Sequence, residues 1–246
     1  MGNLWKGFKE HRTFRFTSLL VILLIALVVL APVIAPYNPL EAVMKDANQA
    51  PSMAHLFGTD KLGRDVLSRI LYGGAYSLSS VLALVAIIFC VGTFLGLVAG
   101  YFGGLIDTVI MRVADMMISF RGVILAIAIA GIMGGSLVNA MIALTAVTWT
   151  KYARLSRSMV LKIRKRDFVD AAIVSGGTSS HILWTHIMPN VVPILVITAV
   201  SDIGAMMMEL AGLSFLGFGS QPPAPEGVIM LNEGRQQLQT APWLMV

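Results

Sequence analysis

Charged residues leave long gaps in this chain, and the gaps set out its helices. No Asp, Glu, Lys or Arg lies between Arg15 and Glu41, Arg69 and Asp107, Arg121 and Lys151, or Asp170 and Asp202. A helix that crosses a bilayer needs about 20 apolar residues, because about 30 Å of hydrocarbon is climbed at about 1.5 Å per residue. The first gap predicts one span, Phe16 to Ile34, closed by Pro32 and Pro36. The second predicts a span from Tyr76 to Ala99. Its Gly92, Gly96 and Gly100 recur every four residues, a small-residue face that lets helices approach closely. The third gap is too short for two full spans and is broken by Gly134 and Gly135, so helices are expected over Met111 to Met133 and Leu137 to Tyr152. Pro189, whose missing N–H costs nothing in a first turn, opens a fifth helix that runs to Leu210.

Composition agrees with this pattern. Of 246 residues, 57% are hydrophobic and 13% charged, and the mean hydropathy is +0.80. A water-soluble domain is about 25% charged, and a disordered chain is poor in hydrophobes, so both classes are excluded. The single cysteine, Cys90, excludes a disulfide within the chain and a multi-cysteine metal site. A secretory leader is disfavoured, because the first apolar run exceeds the usual 7–15 residues and four further spans follow.

The net charge of +5 matters less than where it sits. Lys6, Lys9, Arg12 and Arg15 precede the first span, and Lys151, Arg154, Arg157, Lys162, Arg164, Lys165 and Arg166 follow the fourth. An even number of spans separates the two clusters, so both fit the cytoplasmic side. That places the N-terminus inside and residues 36–75 and 213–240 outside. The expected organisation is a basic N-terminus (1–15), a first membrane helix (16–35), an extracytoplasmic segment (36–75) and a membrane core (76–246). Positive-inside bias accounts for the basic loop, so nucleic acid is not an expected partner.

The stretch from Lys151 to Pro189 is the most informative. Leu155, Met159 and Ile163 recur every four residues among basic ones, which predicts an amphipathic helix leaving the membrane. Phe168-Val169-Asp170-Ala171-Ala172, Gly176-Gly177, Thr178-Ser179-Ser180 and His186-Ile187-Met188-Pro189 follow. They read as a helix, a glycine turn, a second short helix and re-entry at the proline. Small Ala171 and Ala172 permit close docking, and Gly176 permits the turn.

This elbow resembles the EAA loop of the membrane subunits of ABC importers, and nearly the whole chain resembles the C-type subunit of the peptide/nickel permease family. The resemblance is carried also by 57–65 (FGTDKLGRD), 111–115 (MRVAD), 213–219 (LSFLGFG), 221–223 (QPP) and 241–243 (APW). It implies an all-α integral membrane protein of the polytopic type I permease fold in a prokaryotic cell membrane. The elbow, 167–189, would then be the coupling helix that seats on an ATPase subunit, with Asp170, Ala171, Ala172, Gly176, His186 and Pro189 as its coupling residues. Expected partners are a related permease subunit, two ATP-binding subunits, an extracytoplasmic substrate-binding protein and the lipid bilayer. Three departures stand out. Asp170 replaces the usual glutamate of the elbow. Arg121 stands where proline is usual, which predicts loss of a local kink. The chain stops at Val246, where the family begins its last membrane helix, so a sixth span is expected to be missing.

No G-x-x-x-x-G-K-[ST] loop occurs, so the chain is not expected to be an enzyme, and ATP hydrolysis would belong to its partners. No cofactor is expected. A plainer reading of the elbow is an interfacial helix that anchors a loop.

Asp202 lies about halfway along the fifth span, where an exposed aspartate costs about 2.5–3.5 kcal/mol to insert, so it should face protein or a water-filled path. Glu209, nearly two turns on, shares its face, with Met206 between them. Two carboxylates suit a cationic cargo such as a metal chelate or a peptide amino group, and Asp202, Met206 and Glu209 are the candidate translocation-path residues. The alternative is an interhelical ion pair, for Asp202 with Arg121 or a partner subunit. Asp60–Arg64 and Asp65–Arg69 have the spacing of exposed pairs on a helix capped by Thr59 or Asp60, either structural or a docking surface for the binding protein.

No metal site is expected. His11, His55, His181 and His186 lack ligand spacing, and Met206-Met207-Met208 cannot all face one path. Two other classes compete: an ion-coupled secondary transporter using Asp202 and Glu209, which leaves the elbow unexplained, and an intramembrane enzyme, for which no motif is present. For cargo, the stretches from Asp202 to Met207 and from Leu213 to Gly217 lean toward the nickel branch, with dipeptide or oligopeptide as the alternative.

Overall fold

The computed structural model describes residues 30–235 and 240–245, together with Arg15, Phe16, Leu19, Ile25, Ala26 and Gln237. The basic N-terminus, His11 and most of the expected first span lie outside the described residues. A single helical turn, Ala31–Ile34, ends that span, and Ala35 is extended before Pro36. Among the described residues the regular secondary structure is helical, apart from one isolated bridge between Thr59 and Asp65, and long turns and loops connect the helices.

The main helices are α1 (Val66–Phe102), α2 (Gly104–Ser119), α3 (Gly122–Met133), α4 (Leu137–Ile163), α5 (Asp167–Val174), α6 (Ser179–Phe215) and α7 (Gly227–Arg235). By length and composition α1 and α6 can each cross a membrane, and α2 with α3 make a third candidate if counted as one bent span. The expected five are therefore not all visible among the described residues. The charge-free part of α4, Leu137 to Thr150, falls short of the about 20 residues a span needs.

Two compact units divide the chain, residues 79–221 and residues 1–78 with 222–246.

In the unit 79–221, α4 is the central strut. Its Ala140, Ala143, Leu144, Tyr152, Ala153, Ser156 and Val160 are all buried. The glycine face of α1 packs here as its spacing predicts. A Cβ on Gly92 would lie 2.5 Å from the Tyr152 Cβ, one on Gly96 2.3 Å from the Ala153 carbonyl oxygen, and one on Gly100 2.8 Å from the Val160 Cβ. The Ser156 hydroxyl donates to the Thr93 carbonyl at 3.2 Å, across the same close approach.

The expected helix from Met111 to Met133 is two helices. α2 begins at Gly104 and ends at Ser119, and α3 leaves it at 93°. Arg121 does not remove the kink expected of proline at that position. Its φ of −65° is the angle proline would fix, and Phe120 before it is extended with ψ 147°. Arg121 caps α3 through its carbonyl, which accepts from Ile124 and Leu125. Gly134, at φ +88°, ends α3 as expected and leads to Leu137.

The fifth helix also departs from expectation. It starts at Ser179 rather than at Pro189 and runs 37 residues. A π turn at Leu183–Ile187 ends two residues before Pro189, whose nitrogen has no proton to donate. The Asn190 side chain donates to the His186 carbonyl at 2.7 Å, a side-chain bond that spans the proline.

In the other unit the segment 59–65 is a turn, not the exposed helix that its charge spacing suggested. Helix α1 begins only at Val66, and its cap is Asp65, neither Thr59 nor Asp60. The Asp65 carboxylate accepts from the Ser68 backbone N–H at 2.8 Å and hydroxyl at 2.7 Å. Gly63 sits at φ +72° with the Val43 carbonyl oxygen 1.8 Å from where a Cβ would be, so no other residue fits this turn.

Candidate functional site

The elbow is built from the end of α4 through α5 to the start of α6. Val169 is fully buried and joins Ile182, Leu183 and Ile187 in the apolar core, which pins α5 along one edge. Ala172 is half-buried against the same cluster. Gly176 turns the chain at φ +82° in open space, and a Cβ on Gly177 would press on the Ala172 carbonyl at 2.9 Å and on Ile182. The opposite edge of the elbow faces outward. Asp170, Ala171, Gly176 and Pro189 are exposed and His186 is half-buried. Exposed apolar side chains accompany them: Phe168, Ile173, Val174 at 87% and Trp184. An anchored helix that shows a carboxylate among uncovered apolar groups has the composition of a protein-docking surface.

Next to the elbow, three basic residues of α4 that topology alone had explained turn out to hold neighbouring helices. Lys151 donates from Nζ to both oxygens of Asp202 on α6 at 2.7 Å. Arg154 pairs with Asp115 and Arg157 with Asp107, both on α2. The hydrogen bonds to Asp107 raise the pKa of Arg157 further above its ordinary value, so this guanidinium stays charged. Spaced three residues apart, the bases fan around α4, which lets one helix reach two others. That spacing, together with the isolated acids on α2, was the available signal in the sequence.

The candidate path residues separate. Asp202 is ion-paired with Lys151, not Arg121, and also accepts from the Tyr152 hydroxyl at 2.9 Å. Met206 is 6% exposed and packs inside the apolar core. Met207 and Met208 are exposed. Glu209 is half-buried and has no hydrogen-bond or ion-pair partner among the described residues. It borders a cleft of ≈ 240 Å³ lined by Val123, Ile127, Met208, Gly212, Leu213 and Leu216.

The charged residues near position 60 form a cluster that sequence spacing missed. The Asp60 carboxylate accepts from Arg64 Nε at 2.7 Å and from Arg69 Nη1 at 2.6 Å. Glu233 of α7 accepts from the same two guanidiniums at 3.2 and 2.9 Å. Arg64 and Arg69 are each 2% exposed, so Arg64 is not a docking contact. Asp65, the expected partner of Arg69, pairs with His55 instead. Two stretches far apart in sequence also meet here, since Trp243 lies against Gly58 and its indole N–H points to the Thr59 carbonyl at 3.5 Å. No group of three or more His, Cys, Asp or Glu that could hold a metal occurs among the described residues.

Comparison with known proteins identifies the frame of this site. Residues 92–246 match the family described as binding-protein-dependent transport system inner membrane component. Residues 1–51 match the N-terminal TM domain of oligopeptide transport permease C. The chain is 37% identical over 98% of its length to the dipeptide transport system permease protein DppC of Alkalihalophilus pseudofirmus, covering 80% of that protein. It is similarly 37% identical to DppC of Haemophilus influenzae, covering 84% of that protein. It is also 37% identical to the glutathione transport system permease protein GsiD of Pectobacterium atrosepticum, covering 81%. With matches across nearly its whole length, the chain belongs to the binding-protein-dependent transport system inner membrane component family, as a multi-pass permease subunit of an ABC importer.

Proposed function

We propose that this subunit forms part of the path for short peptides and that the elbow at 167–189 transmits the work of ATPase partners to α6. The peptide reading rests on the relatives, whose names specify dipeptide and glutathione transport. The leaning toward nickel loses its support, and the relatives favour the alternative cargo. The single observation that carries the coupling reading is the anchored yet exposed α5, with Val169 buried and Phe168, Asp170, Ala171, Ile173 and Val174 uncovered.

Alpha6 begins inside the elbow and continues unbroken to Phe215, a rod of about 55 Å at about 1.5 Å per residue. Displacement of α5 by a closing ATPase pair would tilt that rod rather than bend a hinge. The assembly supporting this is a second permease subunit, two ATP-binding subunits inside and a substrate-binding protein outside, in a prokaryotic inner membrane with the basic N-terminus in the cytoplasm. An ion-coupled secondary transporter is disfavoured, since Asp202 is occupied by Lys151 and the elbow would have no task.

ATP hydrolysis by the complex in lipid vesicles tests both parts, with binding protein loaded in turn with dipeptide, glutathione and a nickel chelate. Dipeptide or glutathione is expected to stimulate hydrolysis. Gly176→Pro, which forces φ from +82° to about −65°, should abolish the stimulation while the complex still assembles. Normal stimulation and transport by the assembled variant would reduce the elbow to an anchor. Stimulation by nickel alone would refute the peptide reading.

A further inference from the structure

Alpha6 carries two acids, and the structure gives them unequal standing. Asp202 is neutralised by Lys151 and held by Tyr152. Glu209 makes no hydrogen bond or close ion pair among the described residues, has Asp202 and Lys151 as its charged neighbours, and stands at a mainly apolar cleft. A carboxylate next to apolar walls attracts a cation more strongly than the same group in water, because little solvent screens the pair. Ionisable groups within membrane helices are accordingly paired, or sit where a ligand passes.

We propose that Glu209 is the point in this subunit that receives the terminal ammonium group of a peptide cargo, with the adjoining cleft taking its first side chain. This rests on the peptide reading above. The chemistry of the site selects an ammonium over a metal ion, because one carboxylate supplies too few ligands and no other acid, histidine or cysteine lines the cleft. Its ≈ 240 Å³ is below the usual range of about 300–1,000 Å³ for pockets that enclose a ligand, so it suits the end of a peptide passing through. Val123, Ile127, Leu213 and Leu216 offer apolar contact of no fixed shape, and Met208 adds a side chain that adapts to different residues. Such a site fixes the amino end and tolerates varied side chains.

The test uses the complete complex in lipid vesicles and two readouts. In the first, a hydrophobic carbodiimide labels membrane carboxyls, and labelling at Glu209 is read by mass spectrometry with dialanine or N-acetyl-dialanine present. Dialanine should protect Glu209 and the acetylated peptide should not. In the second, Glu209→Gln should lower dialanine uptake about tenfold, the loss of one charge-assisted hydrogen bond, while Glu209→Asp retains most of it. Equal protection by both peptides, or none, would overturn the proposal. So would a Glu209 that is unreactive in the complex without peptide, which would mean that a basic group of a partner subunit covers it. Wild-type vesicles that import no dialanine would sink the peptide reading and this inference with it. Import that is unchanged by Glu209→Gln would sink this inference alone.

Discussion

Lys151 joins α4 to α6 through one carboxylate, and the value of that link depends on solvent. Its side chain is 54% exposed, against 13% for Asp202. Exposed ion pairs contribute roughly 0–1 kcal/mol, and interhelical hydrogen bonds in membrane proteins average about 0.6 kcal/mol. Asp202→Asn should therefore cost little stability. Asp202→Lys, which sets two ammonium groups against each other, should clearly lower the detergent melting temperature. The swap Lys151→Asp with Asp202→Lys should recover most of the loss. Absence of recovery would show that Tyr152, rather than Lys151, holds the aspartate. The acidic side chains of α6 could be found by reading the chain, since charge in a long apolar run is conspicuous. Their partners could not, because Lys151 lies 51 positions away and already had an explanation in topology.

Helix contacts in the unit 79–221 are set by small residues. The Gly96 position leaves 2.3 Å between a Cβ and the Ala153 carbonyl oxygen, so Gly96→Ala must push α1 and α4 apart. Overpacking of this kind costs about 1–3 kcal/mol. Gly204→Ala on α6 has nothing within 4 Å and should leave stability unchanged or raise it, given alanine's better helix propensity. Melting of the purified subunit in detergent distinguishes the two, and equal effects would contradict the close approach of α1 to α4. The four-residue glycine spacing was enough to anticipate this face. The break between α2 and α3 was not anticipated, because Arg121 carries no sign of the angle it adopts. Arginine is free to take many values of φ, and the −65° it adopts here is not written in its side chain. Likewise Pro189 looked like the start of a helix, but the preceding π turn lets the helix run through it.

Across the molecule, the residues 222–246 belong with the N-terminal part of the chain and not with the helices before them. Two buried guanidiniums and two carboxylates balance one another at this junction of Arg64, Arg69, Asp60 and Glu233. Removing one member of a buried pair costs about 3–5 kcal/mol, because the remaining charge is left without compensation. Glu233 keeps 17% exposure, so Glu233→Gln should fall near the lower end of that range. It should make the segment 222–245 sensitive to protease, while Lys61→Ala at the exposed tip of the turn should not. Unchanged protection in Glu233→Gln would show that Trp243 and its neighbours suffice to hold the segment.

The sequence by itself determined the membrane class, the apolar runs, the glycine face and the elbow with its turn at Gly176. Each depends on neighbours within a few turns of one helix, where spacing translates directly into a face or a break. It also carried the family, because the motifs occur in a fixed order. Only the tertiary structure decided which charges meet. Glu233 reaches Arg69 across 164 positions, Asp202 meets Lys151 across 51, and Met206 turns into the core while Glu209 stands at a cleft with no hydrogen bond or close ion pair among the described residues. Spacing along one helix fixes the direction of a side chain, but what lies in that direction is set by how the helices pack.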